Sequence, residues 1–276
     1  MNMCAVVLAA GEGTRLRPLT LRVPKPLCPV GNVRLVDRTL ARLAAYGLAG
    51  PDQVALNACH LADQIVAAVD GRAHLSVEPP PALGTSGGVG RLRTWIGERA
   101  VLACNADVYL DPDGDAQTSL LAGWEGTTVR ILVVPAGDDV GEFGESREWR
   151  FAGMSLLPPR AVRALQPRTS DLVTTVWRPA EARGALDLVP YQGTYFDCGT
   201  PANYLAANLH AAAGGTLIAD DAVVNGDAED SVVGSGAEVH GRLTRAVVLP
   251  GGYVDASEHL VDTIRVGRDI TMQTRR

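Results

Sequence analysis

The chain has 276 residues, a formal charge of −6 and 46% hydrophobic residues. This length suits one medium catalytic domain with a small appendage, and it leaves ample chain for a buried core. The acidic balance argues against a nucleic-acid partner, and the absence of any apolar run near the ~20 residues that span a bilayer argues against a membrane partner. The five cysteines contain no C-x-x-C pair, which indicates reduced thiols in a cytoplasmic protein.

Predicted strands and helices alternate through the first half of the sequence. Short continuous apolar runs predict buried strands, and apolar residues at helical spacing predict helices. The predicted strands are 3–10, 54–58, 74–77, 100–104 and 128–134, and the predicted helices are 33–46 and 60–69. This alternation predicts an α/β fold with a Rossmann-like open, mainly parallel sheet and helices on both faces. Ligands of such sheets bind outside the carboxyl ends of the strands.

The pattern changes after about Gly214, where predicted helices stop and single apolar residues recur every six positions. The longest such stretch is Val248, Val254, Leu260 and Val266. This period predicts a short left-handed β-helix-like tail of two or three imperfect coils, and a β-rich tail without a true solenoid is the alternative. The predicted domains are 1–213, which is catalytic, and 214–276. The tail either forms a homo-oligomer interface or folds back onto the catalytic domain.

A glycine loop with basic residues follows the first predicted strand. It reads GEGTRLRPLT from Gly11 to Thr20, and Lys25 follows between two prolines as the only lysine among 25 basic residues. Backbone N–H groups of such loops can bind phosphates. Leu16 stands where the dinucleotide fingerprint has its third glycine, and no G-K-[ST] follows. The loop is therefore neither the dehydrogenase fingerprint nor a Walker A loop.

Four motifs resemble those of the sugar-1-phosphate nucleotidyltransferases, including their guanylyltransferase and compact uridylyltransferase branches. GEGTRLRPLT followed by KP closely resembles the family signature, and Asn105-Ala106-Asp107 resembles its N-G-D metal motif. ALGTSGG, at 82–88, resembles the base-binding loop, and FDCGTPANYLAANL, at 196–209, resembles the W-x-D-x-G-T segment. A β-helix tail is also common in this family. The resemblance covers nearly the whole chain.

The resemblance implies that a sugar-1-phosphate oxygen attacks the α-phosphorus of a nucleoside triphosphate and that pyrophosphate leaves. It implies that Arg15 binds the β- and γ-phosphates and that Lys25 reaches the α-phosphate, where a compact charge on a thin stem fits best. Asp107 and Asp197 are the implied ligands of Mg²⁺, which prefers oxygen ligands. The implied catalytic residues are Arg15, Lys25 and Asp107, and the implied partners are the two substrates.

The resemblance also assigns residues to nucleotide and sugar. The implied nucleotide-binding residues are Leu8, Ala9, Ala10, Gly11, Gly13, Thr14, Arg15, Gly84, Thr85 and Gly88. The implied sugar-binding residues are Glu142, Arg150, Gly153 and Asp197. The sugar side departs from the family pattern, because the E-K-P motif is missing and the N-A-G position reads Phe151-Ala152-Gly153. Arg147 and Arg150 are the candidates for replacing the missing cation.

The expected function is formation of a nucleoside-diphosphate sugar, with GTP and a mannose- or heptose-type sugar-1-phosphate favoured. Use of UTP, dTTP or CTP is the alternative within the same class. A catalytically silent regulatory paralogue that binds a nucleotide sugar is the alternative from another class. A β-helix acyltransferase is a third, and the short tail argues against it.

Overall fold

A computed structural model describes residues 2–111, 120–137 and 140–274. The chain forms two compact units. Unit 1 consists of Met1–Glu12 and Arg38–Tyr195, and unit 2 of Gly13–Asp37 and Phe196–Arg276. This division does not coincide with the predicted boundary between 213 and 214, and the two predicted domains stay a prediction. No helix among the described residues is long and apolar enough to cross a membrane.

A seven-stranded sheet forms the centre of unit 1. In chain order, the strands that precede the tail are β1 Met3–Leu8, β2 Pro29–Val30, β3 Val33–Arg34, β4 Val54–Ala58, β5 His74–Val77, β6 Ala100–Asn105, β7 Val108–Leu110, β8 Val129–Pro135, β9 Trp149–Leu157, β10 Leu186–Pro190 and β11 Tyr195–Asp197. The sheet order is β10-β8-β9-β6-β1-β4-β5. Only β9 runs antiparallel to its neighbours, β6 and β8. The predicted open, mainly parallel α/β sheet is confirmed.

Seven α-helices can be numbered in the described residues. They are α1 Leu35–Ala45, α2 Ala62–Val69, α3 Gly84–Arg91, α4 Arg93–Ile96, α5 Pro159–Ala164, α6 Arg178–Glu181 and α7 Pro201–Ala211. Short 3₁₀ turns occupy Thr14–Leu16, Leu19–Leu21 and Lys25–Leu27, and a π-helix occupies Val173–Trp177. The two predicted helices are α1 and α2, and each begins slightly later than predicted. Strand β3 precedes α1, and Leu61, with a left-handed φ of 49°, precedes α2.

The core of unit 1 explains why its strands were readable from the sequence. Residues Cys4 to Val7 of β1 are fully buried, because β1 lies between β4 and β6 and is covered on both faces. Continuous apolar runs are typical of such strands. The apolar cluster on one side of the sheet also includes Trp177, which is 4% exposed. The carboxyl ends of β1 and β6 lie side by side, since Leu8 pairs with Asn105.

The tail forms three stacks of short parallel strands in unit 2. The strands are β12 Leu217–Ile218, β13 Val223–Val224, β14 Asp227–Glu229, β15 Val232–Val233, β16 Glu238–Val239, β17 Arg242–Thr244, β18 Val247–Val248, β19 Tyr253–Val254, β20 His259–Val261, β21 Thr263–Val266 and β22 Ile270–Gln273. The stacks are β12-β15-β18-β21, β13-β16-β19 and β14-β17-β20. This arrangement agrees with a β-helix-like tail. A homo-oligomer through it stays a prediction.

The six-residue period is wrong for most of the tail. Val232 pairs with Leu217 on one side and with Val247 on the other, so equivalent positions recur once per coil at equal spacing. That spacing is 15 positions, as between the hydrogen-bonded Thr216 and Ser231. The last coil is longer, because Val247 pairs with Ile264 and the bonded pair Arg245 and Asp262 is 17 positions apart. A continuous apolar core fills the stack.

Segment 13–37 belongs to unit 2 because it is bonded to α7 and the tail. The side chain of Asn208 accepts a hydrogen bond from the Gly31 N–H at 3.0 Å. The hydroxyl of the fully buried Tyr204 donates to the Pro29 carbonyl. The amide of Asn32 donates to the Val233 carbonyl at 3.0 Å. The loop with the basic residues is thus held by elements that lie much later in the sequence.

The thiols provide a test of this packing. Burial raises the pKa of Cys28 and Cys104 to about 12 and that of Cys4 to about 11. Cys198 is also buried, and Cys59 is partly exposed. Because the thiolate is the reactive form, we expect a disulfide reagent at pH 8 to label one thiol of the native protein and five in denaturant. Cys59→Ser should abolish the native labelling. Fast labelling of a second thiol would contradict the described core.

Candidate functional site

The predicted site residues fall into two groups, one in each unit. Unit 1 contains Leu8, Ala9, Ala10, Gly11, Gly84, Thr85, Gly88, Asp107, Glu142, Arg150 and Gly153. Unit 2 contains Gly13, Thr14, Arg15, Lys25 and Asp197. Each group has its own geometry.

Asp197 brings the two predicted cations of unit 2 together. Its Oδ1 lies 3.5 Å from Lys25 Nζ, and its Oδ2 accepts a hydrogen bond of 3.2 Å from Arg15 Nη2. Lys25 is 4% exposed, whereas the Arg15 side chain is 65% exposed. One carboxylate therefore holds a buried ammonium, whose position is fixed, and an exposed guanidinium that can reach into solvent.

The glycine loop closes directly over the lysine stem. Gly13 has a φ of 61°, which favours glycine. A Cβ at this position would lie 2.9 Å from Thr20 Cγ2 and 3.3 Å from Lys25 Cβ. The Thr20 hydroxyl donates to the Gly13 carbonyl at 2.9 Å and so fixes the loop. These contacts account for the glycine and the threonine.

The D-x-G-T segment also has a local explanation. Asp197 ends β11, and a Cβ on Gly199 would lie 2.5 Å from Arg15 Nη2 and 2.8 Å from Asp197 Oδ1. The Thr200 side chain then caps α7 by accepting a hydrogen bond of 3.3 Å from the Asn203 N–H. The motif thus combines a charge, a position without a side chain beside that charge, and the start of a helix.

In unit 1 two buried polar residues tie the end of β1 to the loop before α3. Asn57 Oδ1 accepts from the Ala9 N–H, and Asn57 Nδ2 donates to Glu78 Oε1, both at 2.8 Å. Glu78 Oε2 accepts from the Leu83 N–H, also at 2.8 Å. Both side chains are 2% exposed. Neither residue is among the predicted site residues, although an asparagine inside the otherwise apolar strand 54–58 is a usable signal.

The glycines of ALGTSGG let other segments of unit 1 approach closely. A Cβ on Gly84 or Gly87 would collide with the carbonyl of Ser170 or Arg168, respectively. A Cβ on Gly88 would lie 2.5 Å from the side chain amide of Asn57. Thr85 Oγ1 accepts from the Leu172 N–H at 2.9 Å. Packing therefore accounts for much of this motif, and the nucleotide contacts of Gly84, Thr85 and Gly88 stay a prediction.

Asp107 follows β6 and is half-buried. The Ala106 N–H donates to the Leu8 carbonyl at 3.1 Å, so the N-A-D turn is bonded to the end of β1. Gly153 on β9 has a φ of 84°, and a Cβ there would lie 2.6 Å from Val108 Cγ2. Gly153 thus allows β9 to pack against the strand that follows Asp107. Its predicted contact with a sugar is untested.

A cavity of about 230 Å³ lies beside these elements in unit 1. Two predicted nucleotide-binding residues, Leu8 and Thr85, and one predicted sugar-binding residue, Glu142, line it. Trp177 of the π-helix also lines it, which the sequence analysis did not anticipate. Of the two arginines proposed to replace the missing lysine, Arg147 is exposed and Arg150 is half-buried on β9, and neither is among the lining residues.

The carboxylates of Asp107 and Asp197 are of the ligand type that magnesium prefers. No group of three or more His, Cys, Asp or Glu residues in the described part of the chain could hold a metal by itself. Magnesium usually takes one or two carboxylates and completes its shell with substrate phosphates and water. Asp107 and Asp197 are each carboxylates of this kind, and their role as magnesium ligands stays a prediction.

Comparisons with known proteins point to one chemistry. A family model for the MobA-like NTP transferase domain matches residues 5–166. The chain is 27% identical over 237 residues to an N-acetylmuramate alpha-1-phosphate uridylyltransferase of Caulobacter vibrioides, covering 75% of this chain and 96% of that protein. It is 30% identical over 298 aligned positions to a mannose-1-phosphate guanylyltransferase of Mycobacterium tuberculosis, covering 91% and 81%.

A solved Bacillus anthracis structure, named for a glucose-1-phosphate thymidylyltransferase, has a TM-score of 0.65 to this chain. The identity is 18%, and the alignment covers 76% of this chain and 95% of that chain. At this identity the likeness supports the fold alone. It agrees with the mainly parallel sheet of unit 1.

Substitutions of Asn57 and Glu78 test the hydrogen bonds through which these residues link β1 to the loop before α3. In Glu78→Gln two hydrogen-bond donors must face each other. The N–H₂ group of the new glutamine meets the N–H₂ group of Asn57. If Asn57 flips to accept from the glutamine, its own N–H₂ group faces the Ala9 N–H instead. In Asn57→Asp two carboxylates meet. We expect each single variant to lose about 1–3 kcal/mol of unfolding free energy in urea titrations.

The double variant should recover most of this loss. Asp at position 57 can accept from both the Ala9 N–H and the Gln amide, whose oxygen still accepts from the Leu83 N–H. We expect a coupling energy of at least about 1 kcal/mol in the double-mutant cycle. Glu98→Gln, at a side chain that is 77% exposed, is the control without effect. Additive losses would show that the bridge does not form as described.

Proposed function

This chain belongs to the MobA-like NTP transferase family, and we propose that it is a sugar-1-phosphate nucleotidyltransferase. It transfers a nucleoside monophosphate from a nucleoside triphosphate to a sugar-1-phosphate, releases pyrophosphate and forms a nucleoside-diphosphate sugar. The relatives named for uridylyl and guanylyl transfer support this reaction class. Five free thiols support a reducing, cytoplasmic setting.

The arrangement of Arg15 and Lys25 around Asp197 is the observation that carries the proposal. Both substrates are anions, so the protein must overcome their repulsion and stabilise charge as the phosphoryl bond changes. A buried ammonium at 3.5 Å and an exposed guanidinium at 3.2 Å from one carboxylate provide two cations of different reach. Arg15 binds the β- and γ-phosphates, and Lys25 binds the α-phosphate.

The reaction needs orientation rather than a covalent nucleophile. The sugar phosphate oxygen attacks the α-phosphorus as the bond to the leaving pyrophosphate breaks, and the electron pair of that bond stays on the pyrophosphate. Lys25 neutralises charge on the α-phosphate oxygens without moving, because its stem is held under Gly13. Fixed charge of this kind costs no reorganisation during the reaction.

Asp107 and Asp197 are the residues that hold Mg²⁺ in this proposal. The ion supplies charge neutralisation for the phosphate oxygens when it is bound. Asp197 also positions Arg15 and Lys25, so a change there affects both cations. The nucleotide is held by Leu8, Ala9, Ala10, Gly11, Gly13, Thr14, Arg15, Gly84, Thr85 and Gly88, and the sugar by Glu142, Arg150, Gly153 and Asp197.

GTP with a mannose-type sugar-1-phosphate is the favoured pair. The Mycobacterium tuberculosis guanylyltransferase supports it, because it aligns over 91% of this chain at 30% identity. UTP is the first alternative, supported by the Caulobacter vibrioides relative. A silent regulatory paralogue is opposed by the presence of Arg15, Lys25, Asp107 and Asp197.

Pyrophosphate release by the purified protein with Mg²⁺ tests the reaction. GTP, UTP, CTP, dTTP and ATP are each combined with hexose-, heptose- and amino-sugar-1-phosphates. We expect turnover with one pair and a loss of about 10²–10³-fold in kcat for Lys25→Arg and for Asp107→Asn, as for removal of one preorganised electrostatic group.

One exchange between cations and one measurement of folding serve as controls. Arg163→Lys exchanges one cation for another in the exposed pair with Glu98, and it should leave kcat unchanged. Because the side chain at position 25 is buried, melting curves of Lys25→Arg test whether this variant remains folded. Absence of turnover across the panel, together with tight binding of a nucleotide sugar, would contradict the proposed enzyme and support a regulatory paralogue.

A further inference from the structure

The unit 1 cavity has a charge pattern that selects among sugar phosphates. Its lining includes two carboxylates, Glu142 and Asp171, and the amide side chain of Asn105. No lysine, arginine or histidine is among its described lining residues. Carboxylates accept hydrogen bonds and do not donate them, so the cavity suits a ligand that presents hydroxyl or amine donors. A ligand carboxylate would meet two like charges there without an opposing cation.

Nearby cations do not change this pattern. The Arg178 guanidinium donates to the Glu142 backbone carbonyl at 2.7 Å and to Glu181 at 2.6 Å, and it stacks over the Phe143 ring at 4.7 Å. It is thus engaged outside the cavity. Arg150 precedes Phe151 on β9 and is not a lining residue. Glu142 keeps its place through the Phe151 N–H, which donates to Oε2 at 3.4 Å.

Two buried donors and an aromatic wall complete the cavity. Phe151 and Trp177 line it together, with ring centroids 4.4 Å apart. Ser155 Oγ and Trp177 Nε1 are buried and have no hydrogen-bond partner in the described part of the chain. Buried polar atoms without a partner are rare in native proteins and call for a specific explanation. Both residues line the cavity, and a ligand whose oxygen acceptors reach these two donors would satisfy them.

From these observations we infer that the cavity receives the glycosyl ring of a sugar-1-phosphate that carries no carboxylate. The apolar face of the ring lies on Phe151 and Trp177, and its hydroxyls donate to Glu142 and Asp171. Ring oxygens accept from Ser155 and Trp177. The sugar's phosphate binds outside this cavity, where cations are available. This inference rests on the proposed function and narrows its substrate to neutral or amino sugars.

The inference distinguishes between two sugars for which relatives of this chain are named. Mannose is a neutral hexose, whereas N-acetylmuramate is a sugar acid. Glu142 and Asp171 are exposed in the free protein, and a site that sets like charges against the wrong ligand discriminates by repulsion as well as by attraction. We therefore expect kcat/KM for mannose 1-phosphate to exceed that for N-acetylmuramate 1-phosphate by at least about tenfold. The Caulobacter vibrioides relative, by its name, acts on the acid.

Three variants connect this preference to the cavity. Glu142→Gln keeps the size of the side chain and removes its charge, so it should raise KM for mannose 1-phosphate and narrow the ratio between the two sugars by about tenfold. Trp177→Phe removes the N–H donor together with part of a buried aromatic ring, and it should raise KM for the sugar phosphate by about three- to tenfold in a variant whose melting curve shows it to be folded. Neither should change KM for the nucleotide. Glu145→Gln, an exposed acid three positions from Glu142, is the control without effect.

Each outcome of these measurements either supports or overturns the inference about the cavity. A preference for the acid, equal rates for both sugars, or variants that raise KM for the nucleotide and not for the sugar would overturn the inference. If no pair turns over, the proposed function fails by itself. Calorimetric titration of both sugar phosphates in the presence of Mg²⁺ and the five nucleotides then tests the cavity. Tighter binding of the neutral sugar, weakened in Glu142→Gln, would support the inference, and its absence would overturn it.

Discussion

The ion pairs of Asp197 are the constraint on which unit 2 depends. Arg15 and Asp197 are 182 positions apart in the sequence, and their contact requires segment 13–37 to fold against the part of the chain after Phe196. Burying an ammonium without a counter-charge is costly, and the Asp197 carboxylate supplies a counter-charge to Lys25 under the glycine loop. Two motifs that appear separate in the sequence are therefore one structural element. The same contact explains why the unit includes a stretch that precedes most of the sheet.

The parts of the site that the sequence revealed are those with unusual composition. A single lysine between prolines and a D-x-G-T segment stand out by residue type, and both meet at Asp197. Asn57, Glu78 and Trp177 did not stand out, because their roles depend on what lies opposite them in space. Asn57 is bonded to residues 48 positions before it and 21 positions after it. No local pattern encodes such a pairing.

The elements of the fold that could be predicted also differ from the others in whether local composition reveals them. Strands that are buried on both faces, such as β1 and β4, were predicted almost to the residue, since burial imposes an apolar run. Strand β9 was not predicted. It runs antiparallel between β6 and β8, and its sequence includes Arg150 and Gly153, which obscure the apolar pattern. Helix α3 was missed because half of its residues are glycine, and its packing depends on close backbone contact rather than on an apolar stripe.

The final strand of the tail limits where further coils can be added to it. Residues Ile270–Gln273 turn back and pair antiparallel with Thr263–Val266, which is the last parallel strand of its stack. The next coil of a solenoid would need that same edge for a parallel partner. A duplication that adds whole coils, each like the one from Leu217 to Val232, can therefore be accommodated before Thr263 but not after it. The terminal hairpin fixes the downstream end of the tail, so variation in tail length among proteins of this architecture should arise by internal insertion.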